Sequence, residues 1–198
     1  MNAAKDCTLQ EKLLRCAMAL ILAAGALLAS VAASPAYAAP STVDVSIGGK
    51  IPYGGFATTW MSADGNIAYC AEPSSPTPAP GSYSTSPVPS GDVTAAIWYS
   101  FGSPGFDASM FPGSWYDGGG WDDAKYAAAS HVLIAYAYSG SESAATHGTS
   151  AEFASWAKSE LIGGTFAKMK AGAGKVSAGF EAFGGRTGGG SQTLVSFS

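Results

Sequence analysis

The 198-residue chain is poor in charge and in the side chains that metal and redox chemistry use. Charged residues make up 12% of it, with three cysteines and two histidines. Acidic residues outnumber basic ones 14 to 10, a net charge of −4, and no basic stripe runs through the chain, which argues against nucleic acid as a partner. No Cys/His cluster has zinc spacing. "DGGGWDD" offers too few regularly spaced oxygen ligands for a calcium loop, and "GGRTGGG" lacks the G-K-[ST] of a phosphate-binding loop. No metal or cofactor is expected. Beyond residue 38 no apolar run is long enough to span a membrane.

The N-terminus carries Lys5, Lys12 and Arg15 against Asp6 and Glu11, then the apolar run "AMALILAAGALLASVAAS". Pro35 and the small-residue pattern Ala36-Tyr37-Ala38 follow. These are the charged region, apolar region and A-x-A cleavage site of a secretory signal. Residues 1–38 read as a signal peptide and 39–198 as one exported domain; an uncleaved anchor is the alternative. The domain has seven basic and twelve acidic residues, net −5, and is long enough for one core. Cleavage removes Cys7 and Cys16 and leaves Cys70 with no disulfide partner. A leftover cysteine in an exported chain is a reactive or intermolecular thiol, or a small buried hydrophobe.

"STVDVSIGGK" alternates apolar and polar residues as a half-buried strand does. "GFATTWMSADGNIAYCAEP" reads as a hairpin turning at Asp64-Gly65, with Cys70 beside Tyr69 on the second strand. Residues 73–91 hold six prolines and read as an extended loop. A short helix capped by Asp92 and ended by Gly102 follows, then the aromatic loop "SPGFDASMFPGSWYDGGG". "DDAKYAAASHVLIAYAYSG" is a helix apolar all round, hence buried, closed by Gly140. Another helix opens at Thr149 with Glu152 at capping-box spacing and stops at Gly163. Two strands joined by a glycine-rich connection close the chain. The layout is α+β: an antiparallel sheet or small barrel carrying Cys70, packed against a small helical part.

Cys70 is the natural nucleophile, and His131, central in the buried helix, is a candidate base that the fold would bring to it. Alternatively His131 is a satisfied core residue. Together they would serve a secreted cysteine hydrolase or acyltransferase. An internal thioester is a second chemistry: a thiolate condenses with a glutamine carboxamide and releases ammonia. After cleavage the sequence offers only Gln192 for it. Trp115, Tyr116 and Trp121 are candidate sugar platforms of a carbohydrate-binding module, or loop packing.

"IPYGGF", "YCAEPSSPTPAPGSY", "AAIWYSFGSPGF", "FPGSWYDGGGW", "AAASHVLIAYAYSG" and "FEAFGGRTGGGSQTLVSF", taken in order, resemble the thioester domains of Gram-positive cell-surface adhesins. Those are N-terminal heads of proteins that continue into immunoglobulin-like, isopeptide-bonded repeats. The resemblance implies a secreted head at the cell wall, further repeat domains, and a host-surface protein or glycan as ligand. It does not imply an enzyme. It makes Tyr69-Cys70 the aromatic–cysteine pair of the family. The family's glutamine follows a threonine at the start of an apolar helical stretch with a tryptophan; here that stretch is Ser130-His131-Val132-Leu133, without the tryptophan. His131 thus stands where the glutamine would be. The implied head binds without a covalent bond, with Cys70 and His131 as a thiol–imidazole pair and Tyr69, Trp115, Tyr116 and Trp121 as binding residues.

Overall fold

The computed structural model describes residues 41–88, 90–177, 180–186 and 193–198, all within one compact unit, Tyr37–Ser198. The signal segment, most of the glycine-rich connection and Gln192 lie outside the described residues.

Strands β1 (Thr42–Tyr53), β2 (Phe56–Ala63) and β3 (Asn66–Cys70) form an antiparallel meander. Asp64 and Gly65, with φ of 49° and 87°, make the β2–β3 turn, both residues left-handed as a tight hairpin requires. Four shorter strands follow: β4 (Gly81–Ser84), β5 (Ser86–Pro87), β6 (Ala182–Arg186) and β7 (Thr193–Phe197). The sheet order is β4-β1-β2-β3-β7-β6-β5. Its two outermost strands are separated in sequence by Thr85 alone, so the segment 81–87 carries the chain from one edge to the other and nearly closes a barrel. The proline-rich stretch is therefore not loop throughout. Proline is tolerated there because β5 is a two-residue edge strand, with Pro87 opposite Phe183.

One irregularity in β1 decides what each half of that strand faces. Ile47 pairs with Met61, but the next pairing is Lys50 with Thr59, so β1 has one extra residue at Gly48-Gly49. A bulge of this kind reverses the in/out alternation. Before it, Val43 and Val45 fill the barrel interior with Met61, Ala68, Cys70 and Leu194. After it, Ile51 and Tyr53 point to the opposite face and join the helical core.

That core is built on α2 (Asp123–Ser139), whose residues 127–135 are all buried. Asp122 caps its start by accepting from the Lys125 amide, and Gly140 ends it in the left-handed conformation. The flanking helices differ from expectation at their ends. Ser90, not Asp92, caps α1 (Gly91–Trp98), since its hydroxyl accepts from Val93 N. After the short α3 (Glu142–Ala145), Ser150, not Thr149, caps α4 (Ala151–Trp156). Gly163 does not stop the next helix. Neither it nor Gly164 has positive φ, so neither forms a glycine terminator, and the coil widens into a π-helical stretch, Ala157–Phe166, that runs into α5 (Ala167–Ala171).

The β1–β2 turn docks α4. Ser150 N donates to Gly54 O at 2.5 Å, and Phe153, fully buried, lies against Gly54. Gly54 has φ of 52°, and a Cβ there would collide with the Phe153 ring. Gly54→Ala therefore meets both a strained backbone and an occupied space, and should cost at least about 2 kcal/mol. Urea unfolding measures this; an unchanged midpoint would contradict the close approach.

Candidate functional site

The β2–β3 ladder ends at Met61 opposite Ala68. Beyond that pair β3 continues beside β7, with Cys70 opposite Leu194, and β2 runs on beside β1. A cleft of about 430 Å³ lies at this parting. Thr58 and Thr59 line it from β2, Cys70 from β3, and the segment 73–77 of the proline-rich stretch forms a wall. His131 from α2 lines it too, and Lys50, Phe56, Ala57 and His147 complete it. The structure thus brings Cys70 and His131, 61 positions apart in sequence, to one cleft.

His131 is 2% exposed. Its Nδ1 lies 3.0 Å from the Tyr53 hydroxyl, with the rings edge-on. Its Nε2 is buried and has no hydrogen-bond partner. Burial pushes the imidazole down to about 4. The Cys70 main chain beside the ring favours the proton and offsets part of that effect, at a geometry that leaves Nε2 without a bond. The ring is neutral near pH 7 and carries one proton. Burial also raises the Tyr53 phenol well above its usual range, with the nearby Cys70 adding to the rise, so Tyr53 keeps its O–H. Among the described residues that O–H has no other partner, so it donates to Nδ1, which assigns the imidazole proton to Nε2.

Cys70 is a free, buried thiol whose Sγ contacts Met61 Sδ at 3.7 Å. Burial pushes it up to about 12. The sulfur turns into the barrel interior because Cys70 alternates with Tyr69, which faces the helices. Tyr69 donates to Phe101 O at 2.5 Å, and the Phe101 amide donates to Ser130 Oγ at 2.9 Å. This network fastens β3 to α2 at the residue before each of Cys70 and His131. Tyr69 is 4% exposed, so its role in the structure is that fastening. Chemically, a thiol near 12 and an imidazole near 4 leave the cleft floor uncharged at neutral pH, with little thiolate and a weak base.

The three aromatic residues of "WYDGGGW" are not in this cleft and do not form an open platform. Trp115 is 4% exposed and packs against Trp121, Phe153 and Trp156. Trp121 stacks on Tyr126 at 4.7 Å and donates from Nε1 to Pro112 O at 2.8 Å. Tyr116 lies edge-on to Phe153. The glycines let the loop fold back so that its rings cover α4, which is why composition made them look exposed.

Tyr53, Lys50 and Phe56 escaped sequence reasoning as site residues. The signal for Tyr53 and Phe56 was the double-glycine turn in "IPYGGF", which sets them opposite one another across the hairpin. Among the described residues no group of three or more His, Cys, Asp or Glu is placed to hold a metal ion, and no helix is long and apolar enough to cross a membrane.

A family model described as a thioester domain matches residues 42–164, a span that includes Tyr53, Cys70 and His131. No curated protein and no solved structure matches the chain.

Two outcomes follow from the buried, neutral floor. In folded protein near pH 8, iodoacetamide should leave Cys70 unmodified, and urea should expose it to rapid alkylation; fast labelling of the folded state would contradict the raised thiol. Stability should also depend on His131. Below about pH 6.5 the unfolded chain binds a proton there that the folded chain refuses until about pH 4. Between those values stability falls with falling pH, by on the order of 3 kcal/mol from this group. Urea titrations at pH 7 and 4.5 should show a smaller loss in His131→Gln than in the parent; equal losses would mean that His131 is not held neutral.

Proposed function

The chain belongs to the thioester-domain family, and from that membership we propose that it is an adhesion head that binds a host-surface protein or glycan without forming a thioester. In this reading the domain is exported, held at the cell wall of a Gram-positive bacterium through further repeat domains, and is not an enzyme. Its binding site is the cleft around Cys70 and His131.

The observation that carries the reading is the identity of the residue on α2 beside Cys70. A thioester needs a carboxamide carbon for the thiolate to attack, with ammonia as the leaving group. The imidazole of His131 has no acyl carbon. The raised thiol supports the same conclusion, because condensation begins from a thiolate. Buried and hydrogen-bonded to Tyr53, His131 instead gives the cleft a fixed polar group at its floor.

Intact mass of the exported protein, before and after methylamine, tests this. The expected result is the full mass of the sequence, unchanged by amine, with one thiol titrated after unfolding. A mass short by one ammonia, with methylamine adding at a glutamine, would mean that Gln192 supplies a thioester and would overturn the reading.

A further inference from the structure

We propose that the cleft is a carboxylate-binding site, in which the Lys50 ammonium at the mouth and the His131 Nε2–H at the floor receive a single anionic group. This rests on the preceding reading, since a thioester at Cys70 would occupy the same floor.

The charge distribution is the first argument. The chain carries 14 acidic residues, yet none lines this cleft. Its lining holds one cation, Lys50, two imidazoles and the hydroxyls of Thr58 and Thr59. Lys50 is exposed and, like Lys168 and Lys175, makes no ion pair among the described residues; unlike them it lines the cleft. An unpaired cation over donor-rich walls attracts an oxygen anion. It repels a ligand amine, the group that a thioester would capture.

The second argument is independent of charge. A buried N–H without an acceptor costs about 1–3 kcal/mol, and native proteins rarely leave one so. The Tyr53 bond holds the imidazole with its proton on Nε2, and the Cys70 main chain beside the ring does not reach it in hydrogen-bond geometry. His131 lines the cleft while its Nε2 is buried, so a group that reaches that atom is narrow. One oxygen of a carboxylate fits that description, with the other left to Lys50 or the threonine hydroxyls. A sulfate or phosphate head is bulkier and would stay nearer the mouth.

The space sets the scale of the rest of the ligand. A cleft of about 430 Å³ takes one or two sugar rings or the last residues of a peptide. Phe56 and the prolines of the wall supply flat apolar contact for either. An acidic sugar and a chain-terminal carboxylate share the recognised group, and the two are separable by experiment.

The test titrates purified protein with sodium glucuronate and with N-acetylglycine, against glucose and N-acetylglycinamide as neutral counterparts. Binding is followed by calorimetry and by the ¹⁵N resonances of His131. At least one acid should saturate and shift the His131 resonances, and its neutral counterpart should bind roughly tenfold more weakly or not at all. Lys50→Gln, an exposed change that leaves thermal unfolding unaltered, should weaken the acid by roughly tenfold. Glucuronate alone binding identifies a glycan acid; N-acetylglycine alone identifies a peptide terminus. Equal binding of acid and neutral forms, an unshifted His131, or full affinity in Lys50→Gln would overturn the proposal. A mass deficit of one ammonia would sink the preceding reading; a full-mass protein that ignores both acids sinks only this one.

Discussion

The hydrogen bond between the Tyr53 hydroxyl and His131 Nδ1 is the contact on which the site depends. It joins the strand side of the molecule to the most buried helix, at 3.0 Å, in a buried seam. An imidazole in such a seam is tolerated only neutral and only with a partner. Tyr53 is that partner because of two backbone features distant from any chemistry. The extra residue at Gly48-Gly49 turns the second half of β1 toward the helices. The Gly54-Gly55 turn then lets Phe153 close over the hairpin and hold Tyr53 in place, with the two rings 5.2 Å apart.

From this one bond the character of the cleft follows. Tyr53 donates to Nδ1, so the imidazole presents a proton on Nε2 and no basic lone pair. The thiol of Cys70, turned into the barrel beside Met61, is held protonated by burial. Two residues that suggest a nucleophile and its base in sequence therefore make an uncharged polar floor in space. Cys70 ends its strand with its sulfur in the barrel, and its main chain lies beside the His131 ring, which has no acyl carbon for a thiolate to attack.

Much of the architecture was legible in the sequence. The Asp64-Gly65 hairpin, the fully apolar helix with Asp122 and Gly140 at its ends, and the paired closing strands all have local signatures, and each is present where the pattern placed it. The juxtaposition of Cys70 and His131 was open to suspicion from residue type and sharpened by resemblance, but a strand and a helix 61 positions apart share no local pattern that would fix it. What escaped was set by non-local geometry. The barrel closure by 81–87 depends on both sheet edges, and proline content masked it. The partner of His131 was hidden because strict alternation along β1 would send Tyr53 into the barrel; only the bulge reverses it. Trp115 takes the loop-packing alternative, buried against α4, while Tyr116 and Trp121 stay half-buried beside it, a difference that glycine-rich composition does not encode.

The most direct test of the central claim is the tautomer of His131, read from the ¹⁵N shifts and two-bond couplings of its imidazole between pH 5 and 8. A neutral ring with its proton on Nε2 across that range is the expected result, and Tyr53→Phe should disturb it. A ring that titrates near pH 6.5, or one that carries its proton on Nδ1, would contradict the bond from which the rest of the site is built.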